Sequence, residues 1–248
     1  MEPLYKCVWM TAGVLTFRLC DRGYDCDRCL VNQALCEGSA PAGRSSRTAA
    51  GSETLQAQGS EVAFHLSRHG FYDRNHTWVQ VGHGGTVRVG LDDLGRRLLG
   101  RVFRVILPEP GGVVREGEPA WTFIGEAGEA GIASPVAGRV LSRNEELIAH
   151  PEFLCGETRR ELWLARIRPT RLRKSLERLL YGRRASAWLH EQVAEVRDRL
   201  LEEHAISAGT APDGGILDPA LFNRLEVSQR RSLVEAFLLS RGPGTKGR

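Results

Sequence analysis

Residues 120–143, AWTFIGEAGEAGIASPVAGRVLSR, decide the fold of this chain. Two short runs of β-like composition, Ala120–Ile124 and Gly138–Arg143, stand on either side of a glycine-rich acidic loop and a Ser134-Pro135 break. Short strands punctuated by glycine and proline are typical of a β-sandwich or a small barrel. The stretch therefore predicts a β domain of this kind.

The same punctuation continues on both sides of this stretch. Further strands are predicted at Thr77–Val81, Thr86–Gly90, Arg101–Ile106 and Leu162–Arg166. Leucines at helical spacing predict a helix over Leu91–Leu99, and Asn144–Ala149 is predicted as another short helix. Beyond residue 170 the apolar residues again recur at helical spacing, as in Leu172–Leu180, in Leu189, Val193, Val196 and Leu200, and in Leu233, Val234, Phe237 and Leu238. Such wide apolar stripes are predicted to need a partner, which could be each other, the β domain or another chain. Strands followed by helices predict the α+β class.

Composition divides the chain into five segments. We predict a cysteine-rich metal-binding module at 1–37, a flexible linker at 38–60, a β domain at 61–170, a helical tail at 171–240 and a disordered end at 241–248. The linker is assigned because it is small and polar and has no apolar periodicity. A length of 248 residues allows one large domain or two modest ones.

The β domain resembles the glycine cleavage system H protein, a lipoyl carrier. The resemblance spans residues 72–168 and rests on motifs that follow one another in that family's order: Tyr72–Val79, Val89–Leu91, Leu98–Gly100, Leu107–Glu109, Ser134–Val140, Asn144-Glu145 and Trp163-Leu164. It implies a barrel-sandwich hybrid of two small antiparallel sheets. It also implies a lipoyl-bearing lysine at a hairpin tip just before the Ser-Pro-Val motif.

That lysine is absent from this sequence. Counting back from Ser134 by the family spacing places Ala127 at its position, and the three lysines of the chain are Lys6, Lys174 and Lys246. Arginine cannot replace the lysine, because its guanidinium stays protonated and is a poor nucleophile. We therefore expect no lipoate and no catalytic activity. The chain is predicted to keep the partner-docking shape of the H fold and to bind a protein partner that recognises it.

Other functions stay open at this point. The chain could be a working H-type carrier that shuttles an aminomethyl group in glycine cleavage, or a redox or sulfur-handling protein that uses Cys26 and Cys29. It could also be a folded relic without a carrier role, since fold alone does not establish function. The glycine-rich loop could hold another ligand noncovalently, although Glu126 and Glu129 would repel an anion.

Five of the six cysteines lie in residues 1–37, and the sixth, Cys155, is expected to be a lone thiol in a loop. The Cys26–Cys29 pair has the two-residue spacer with which two thiolates grip one metal ion, and Cys7 and Cys20 are predicted to complete four ligands. Zinc is the first expectation, an iron–sulfur cluster the second, and a redox dithiol or unligated thiols the third. A metal would supply the folding free energy that such a short segment lacks. The segment also resembles N-terminal extensions of some bacterial H-like proteins.

The remaining charge is concentrated between Arg159 and Arg184. This segment contains ten basic and two acidic residues. Its excess of positive charge favours an acidic partner, although the solvated face of a helix explains the same pattern. A net charge of +4 without aromatic interleaving does not indicate nucleic acid. No stretch reaches the roughly 20 apolar residues of a membrane span, so a cytoplasmic protein without an integral membrane segment is expected.

Overall fold

The computed structural model of the chain describes residues 5–11, 15, 17–20, 22, 29–31, 52–54, 64–67, 70–155, 162–204, 222 and 225–239. The strands in these residues are β1 (Tyr5–Lys6), β2 (Leu19–Cys20), β3 (Ser52–Thr54), β4 (His65–Ser67), β5 (Phe71–Tyr72), β6 (Thr77–Val81), β7 (Val87–Leu91), β8 (Val102–Ile106), β9 (Val113–Val114), β10 (Pro119–Gly125), β11 (Gly128–Ala133), β12 (Gly138–Arg143) and β13 (Trp163–Pro169). The helices are α1 (Val8–Thr11), α2 (Asp93–Leu99), α3 (Glu145–Ala149), α4 (Leu172–Leu176), α5 (Arg183–His204) and α6 (Val227–Val234). A π-helical turn, Glu235–Leu239, follows α6, and single 3₁₀ turns lie at His83–Gly85 and Pro151–Leu154.

Two antiparallel sheets form the centre of the protein. One has three strands in the order β11-β10-β8, and the other has six in the order β5-β6-β7-β13-β12-β9. Alternation along the strands sends one face of the larger sheet into the core: Val87 and Val89 are fully buried, whereas Arg88 between them is half-buried. The smaller sheet adds Trp121 and Phe123 to the same hydrophobic cluster. The expected α+β barrel-sandwich fold is confirmed, with one sheet larger than the resemblance implied.

Polar side chains and a glycine fix the ends of these elements. Asp92 accepts a hydrogen bond from the Gly95 amide at 2.7 Å and so caps α2, and Asn144 caps α3 through the Leu147 amide at 3.1 Å. At Gly138 a side chain is excluded, because a Cβ there would overlap the Arg168 carbonyl oxygen of β13. The glycine of the Ser134–Val140 motif therefore serves close packing between adjacent strands.

The strand predictions differ from the structure mainly at the glycine-rich loop. Thr77–Val81 and Gly138–Arg143 are strands with the predicted bounds. By contrast, residues 125–131 were expected to form a loop, yet β10 continues to Gly125 and β11 begins at Gly128. Glycine and alanine have low strand propensity, so pairing with β10 and not local preference makes this segment a strand.

Two other boundaries also need correction. Residues 52–54, inside the predicted flexible linker, form β3 and pair with β4, and the rest of the linker lies outside the described residues. The helix expected over Leu172–Leu180 ends at Leu176. Leu180 instead exchanges backbone hydrogen bonds of 2.7 and 2.8 Å with Tyr72 of β5, which competes with helix continuation.

The described part of the cysteine module contacts the segment that follows α4. Trp9 is buried, and its ring meets that of Tyr181 edge-on with a centroid distance of 4.7 Å. Tyr181 in turn lies 4.9 Å from the ring of Phe71 on β5. Trp9 of α1 is thus linked to the β domain through Tyr181. Among the described residues, no helix combines the length and apolar composition that crossing a membrane requires.

Candidate functional site

The hairpin of β10 and β11 is the first candidate site, because Ala127 lies at its tip. Gly125 pairs with Gly128, which leaves Glu126 and Ala127 as a two-residue turn. Gly128 has φ 100°, a conformation that glycine adopts without strain. The Ala127 side chain is 8% exposed. The tip of this hairpin is therefore covered.

The cover is the C-terminal helix α6 and the turn that follows it. Arg231 Nε donates to the Ala127 carbonyl oxygen at 3.4 Å, and Arg230 Nε lies 3.8 Å from Glu126 Oε2. The Glu235–Leu239 turn packs along β11. The apolar stripe of this helical segment is buried at Leu233, Val234, Phe237 and Leu238. The tail was predicted to pack its apolar stripe on a partner, and this last segment of it packs on the β10–β11 hairpin.

Arg230 fixes this arrangement from inside the protein. Its side chain is 5% exposed, and its guanidinium donates to the carbonyl oxygens of Arg97 at 2.9 Å, Leu98 at 3.4 Å and Phe222. Arg97 and Leu98 belong to the last turn of α2, whose carbonyl groups have no partners within the helix. Burial lowers the pKa of Arg230 below its ordinary value, although the nearby charge of Glu126 acts in the opposite direction. The result is a charged cap that joins α6 to α2.

Two small features make room for Arg230. Gly100 follows α2 with φ 65°, and a Cβ there would overlap the guanidinium. Cys155, a free and exposed thiol, donates to the Gly100 carbonyl oxygen at 3.1 Å and accepts from the Val102 amide at 3.4 Å. Sequence reasoning assigned Cys155 as a lone thiol in a loop and missed Arg230 altogether.

The predicted metal ligands are only partly within the described residues. Tyr5 pairs with Cys20, and the Cys7 amide donates to the Arg18 carbonyl at 2.9 Å. Cys7 directly follows β1 and is buried, and Cys20 is the last residue of β2 and is half-buried.

Of the other two predicted ligands, only Cys29 lies within the described residues, where it is half-buried; Cys26, like Cys36, lies outside them. Within those residues no group of three or more His, Cys, Asp or Glu side chains is arranged to hold a metal ion. The four-cysteine site therefore stays a prediction.

A buried His–Asp pair resembles a catalytic dyad but has no access to solvent. His76 Nδ1 lies 2.9 Å from Asp92 Oδ2, and both side chains are fully buried. The imidazole also lies against the ring of Trp188 on α5, with a centroid distance of 5.0 Å. The Asp92 amide donates to the His76 carbonyl oxygen at 2.9 Å. The pair thus joins β6, α2 and α5 and serves the fold.

Comparison with known proteins identifies the class to which this fold and hairpin belong. Residues 70–192 match the family model described as "Glycine cleavage H-protein". A probable glycine cleavage system H protein of Pyrococcus furiosus is 35% identical over 119 residues, which are 48% of this chain and 88% of that protein. Glycine cleavage system H protein 2 of Aquifex aeolicus is 29% identical over 136 residues, 54% of this chain and 84% of that protein. The chain belongs to the glycine cleavage H-protein family.

One solved structure is also similar. It is a crystal structure of a glycine cleavage system H protein from Mycobacterium marinum, with 24% identity and a TM-score of 0.39 over 42% of this chain and 87% of that one. The matched family segment extends past β13 into α5 and ends at Gln192. The cysteine module and the α6 segment therefore lie outside the part of the chain that matches the family.

Proposed function

We propose that this protein is an H-type domain that carries no lipoate and acts as a non-catalytic binding module for a protein partner. The observation that carries the proposal is Ala127, which lies in the turn between β10 and β11. A methyl side chain offers no amine with which lipoate could form an amide. Of the lysines within the described residues, Lys6 is in β1 and Lys174 is in α4, and neither belongs to this hairpin.

The cover over the hairpin supports the same conclusion. A lipoyl arm serves by swinging between active sites, so the residue that bears it must be free of the rest of the chain. Here the Ala127 carbonyl oxygen accepts from Arg231, and its side chain is almost fully buried. The surfaces left to a partner are then the two sheets and the outer faces of α5 and α6.

Intact-mass spectrometry tests the absence of lipoate. The full chain is incubated with a lipoate ligase, lipoic acid and ATP, beside a lysine-bearing H protein as a positive control. We expect the control to gain one lipoyl group and this chain to keep its mass. A lipoyl adduct on Lys174 or on any other residue would restore the working-carrier alternative.

We also propose that Cys7, Cys20, Cys26 and Cys29 hold a structural zinc ion. The support is chemical: thiolates are ligands that zinc prefers, and Cys7 and Cys20 both belong to the segment of the paired strands β1 and β2. Metal analysis with a visible spectrum separates the alternatives, because an iron–sulfur cluster absorbs visible light and zinc does not. A colourless protein that contains no metal would contradict the zinc site and favour the dithiol alternative.

A further inference from the structure

Four arginines meet on one face of the six-stranded sheet. Arg166 of β13 lies directly opposite Arg88 of β7, and Arg168 of β13 lies directly opposite Arg139 of β12. We call these four residues the arginine face. They come from three adjacent strands, and two of them lie outside the basic run at residues 159–184.

The strand alternation directs the arginine face toward solvent. The residues between them, Val87, Val89, Ile167 and Val140, are at most 1% exposed and belong to the core. Arg139, Arg166 and Arg168 are exposed, and Arg88 is half-buried. Because successive side chains of a strand point to opposite faces, the four guanidinium groups share the outer face of the sheet.

Within the described residues, these arginines have no carboxylate partners. Arg88 donates to Gln80 Oε1 at 2.6 Å, and Arg139 donates to the Gly111 carbonyl oxygen at 2.6 Å. Within the described residues, none of the four forms an ion pair, whereas their neighbours in sequence do: Arg143 bridges to Glu109 and Glu145, Arg173 to Glu177 and Arg178 to Glu116. Like charges directly opposite each other destabilise a sheet. An anionic partner would remove this repulsion.

The spacing and the neighbours of the arginine face indicate which anion it fits. Opposite Cβ atoms are about 5 Å apart, and the two arginines of β13 are about 7 Å apart. At these distances each guanidinium group can donate two hydrogen bonds to a separate carboxylate of an acidic segment. Val113 of β9, opposite Arg139, is 67% exposed and adds an apolar contact at the rim.

A single-stranded nucleic acid needs aromatic side chains on which its bases stack. Among the described residues, the exposed phenylalanines Phe17, Phe103 and Phe153 lie outside these three strands, and the one aromatic residue of β13, Trp163, is half-buried. We propose that the arginine face docks a protein segment rich in aspartate and glutamate. The inference rests on the proposed binding function and names the chemistry of its partner.

Fluorescence anisotropy tests the proposal with the full chain and a labelled peptide of alternating glutamate and serine. The variant Arg166→Gln/Arg168→Gln removes half of the arginine face. Its matched control, Arg183→Gln/Arg184→Gln, removes the same charge from two exposed residues at the start of α5. We expect the face variant to bind the peptide roughly fivefold more weakly and the control less than about twofold more weakly.

Two results would overturn the inference. Equal losses in the two variants would mean that only net charge matters. Tighter binding of a labelled oligothymidylate, lost in the same face variant, would assign the face to nucleic acid instead. Thermal unfolding of both variants verifies that they are folded. The binding measurement is separate from the lipoylation assay, so that either proposal can fail while the other stands.

Discussion

Replacing Arg230 by methionine tests whether α6 is an integral part of the protein. Methionine keeps an unbranched side chain of similar length but donates no hydrogen bonds. The substitution leaves the carbonyl oxygens of Arg97, Leu98 and Phe222 without this donor. It also removes the cation nearest to Glu126.

The expected loss follows from these contacts. A buried acceptor left unsatisfied costs about 1–3 kcal/mol, so three of them would cost several kcal/mol. Part of this is recovered because a guanidinium no longer has to be desolvated on folding. The partly exposed Glu126, 3.8 Å from Arg230, adds under about 1 kcal/mol. We therefore expect Arg230→Met to lower the free energy of unfolding by about 3 kcal/mol.

Denaturant unfolding followed by tryptophan fluorescence measures this loss, and hydrogen exchange shows where it falls. Exchange should accelerate in β11 and in the last turn of α2, which Arg230 joins to α6. The matched control is Arg231→Met, because Arg231 is exposed and makes one 3.4 Å bond; its cost should stay below about 0.5 kcal/mol. A loss below about 1 kcal/mol for Arg230→Met, with unchanged exchange in β11, would refute the docking of α6 on the hairpin.

Three further predictions concern other parts of the chain. Cys26→Ser/Cys29→Ser should release zinc and leave the β domain folded, whereas Cys155→Ser should keep the metal; full metal content in the double variant would disprove the ligand assignment. Gly138→Ala should lower the free energy of unfolding by about 1–3 kcal/mol through overpacking against β13, and a neutral result in denaturant unfolding would contradict that close approach. Burial raises the pKa of Asp73 above its ordinary value, so stability should fall as pH rises through the folded-state pKa. Asp73→Asn should therefore gain stability relative to the parent as pH rises from about 4 to 7, and thermal unfolding across that range would show a constant difference if the reasoning is wrong.

Strands with branched residues on one face could be predicted from the sequence, because alternation and packing agree there. Val87 and Val89 are buried on either side of Arg88, and the predicted strand at Thr86–Gly90 differs from β7 by one residue at each end. β11 could not be predicted, since its glycines and alanines gain strand geometry only from β10. Local composition is informative only where local preference and tertiary pairing favour the same state.

Contacts between residues far apart in the sequence also could not be predicted. The apolar stripe of Leu233, Val234, Phe237 and Leu238 predicted that the tail needs a partner, but nothing in it pointed to a hairpin about a hundred residues away. Arg230 was missed because a buried arginine departs from the usual surface placement of charged residues. The arginine face was missed for a related reason: counting charges along the chain groups Arg166 with Arg173 and Arg178, whereas strand register groups it with Arg88.

The covered hairpin and the missing lysine explain each other. A lysine at the buried tip could send a lipoyl arm to a partner only after the contacts of Arg230 and Arg231 had broken, and the Arg230 contacts would oppose this by about 3 kcal/mol, a factor of more than a hundred in population. Under the proposed function Ala127 bears no arm, so the same contacts can persist without a functional penalty. The docked α6 in turn covers the hairpin tip. The proposed binding would then use other surfaces, and the arginine face is one whose charges the rest of the described chain leaves unbalanced.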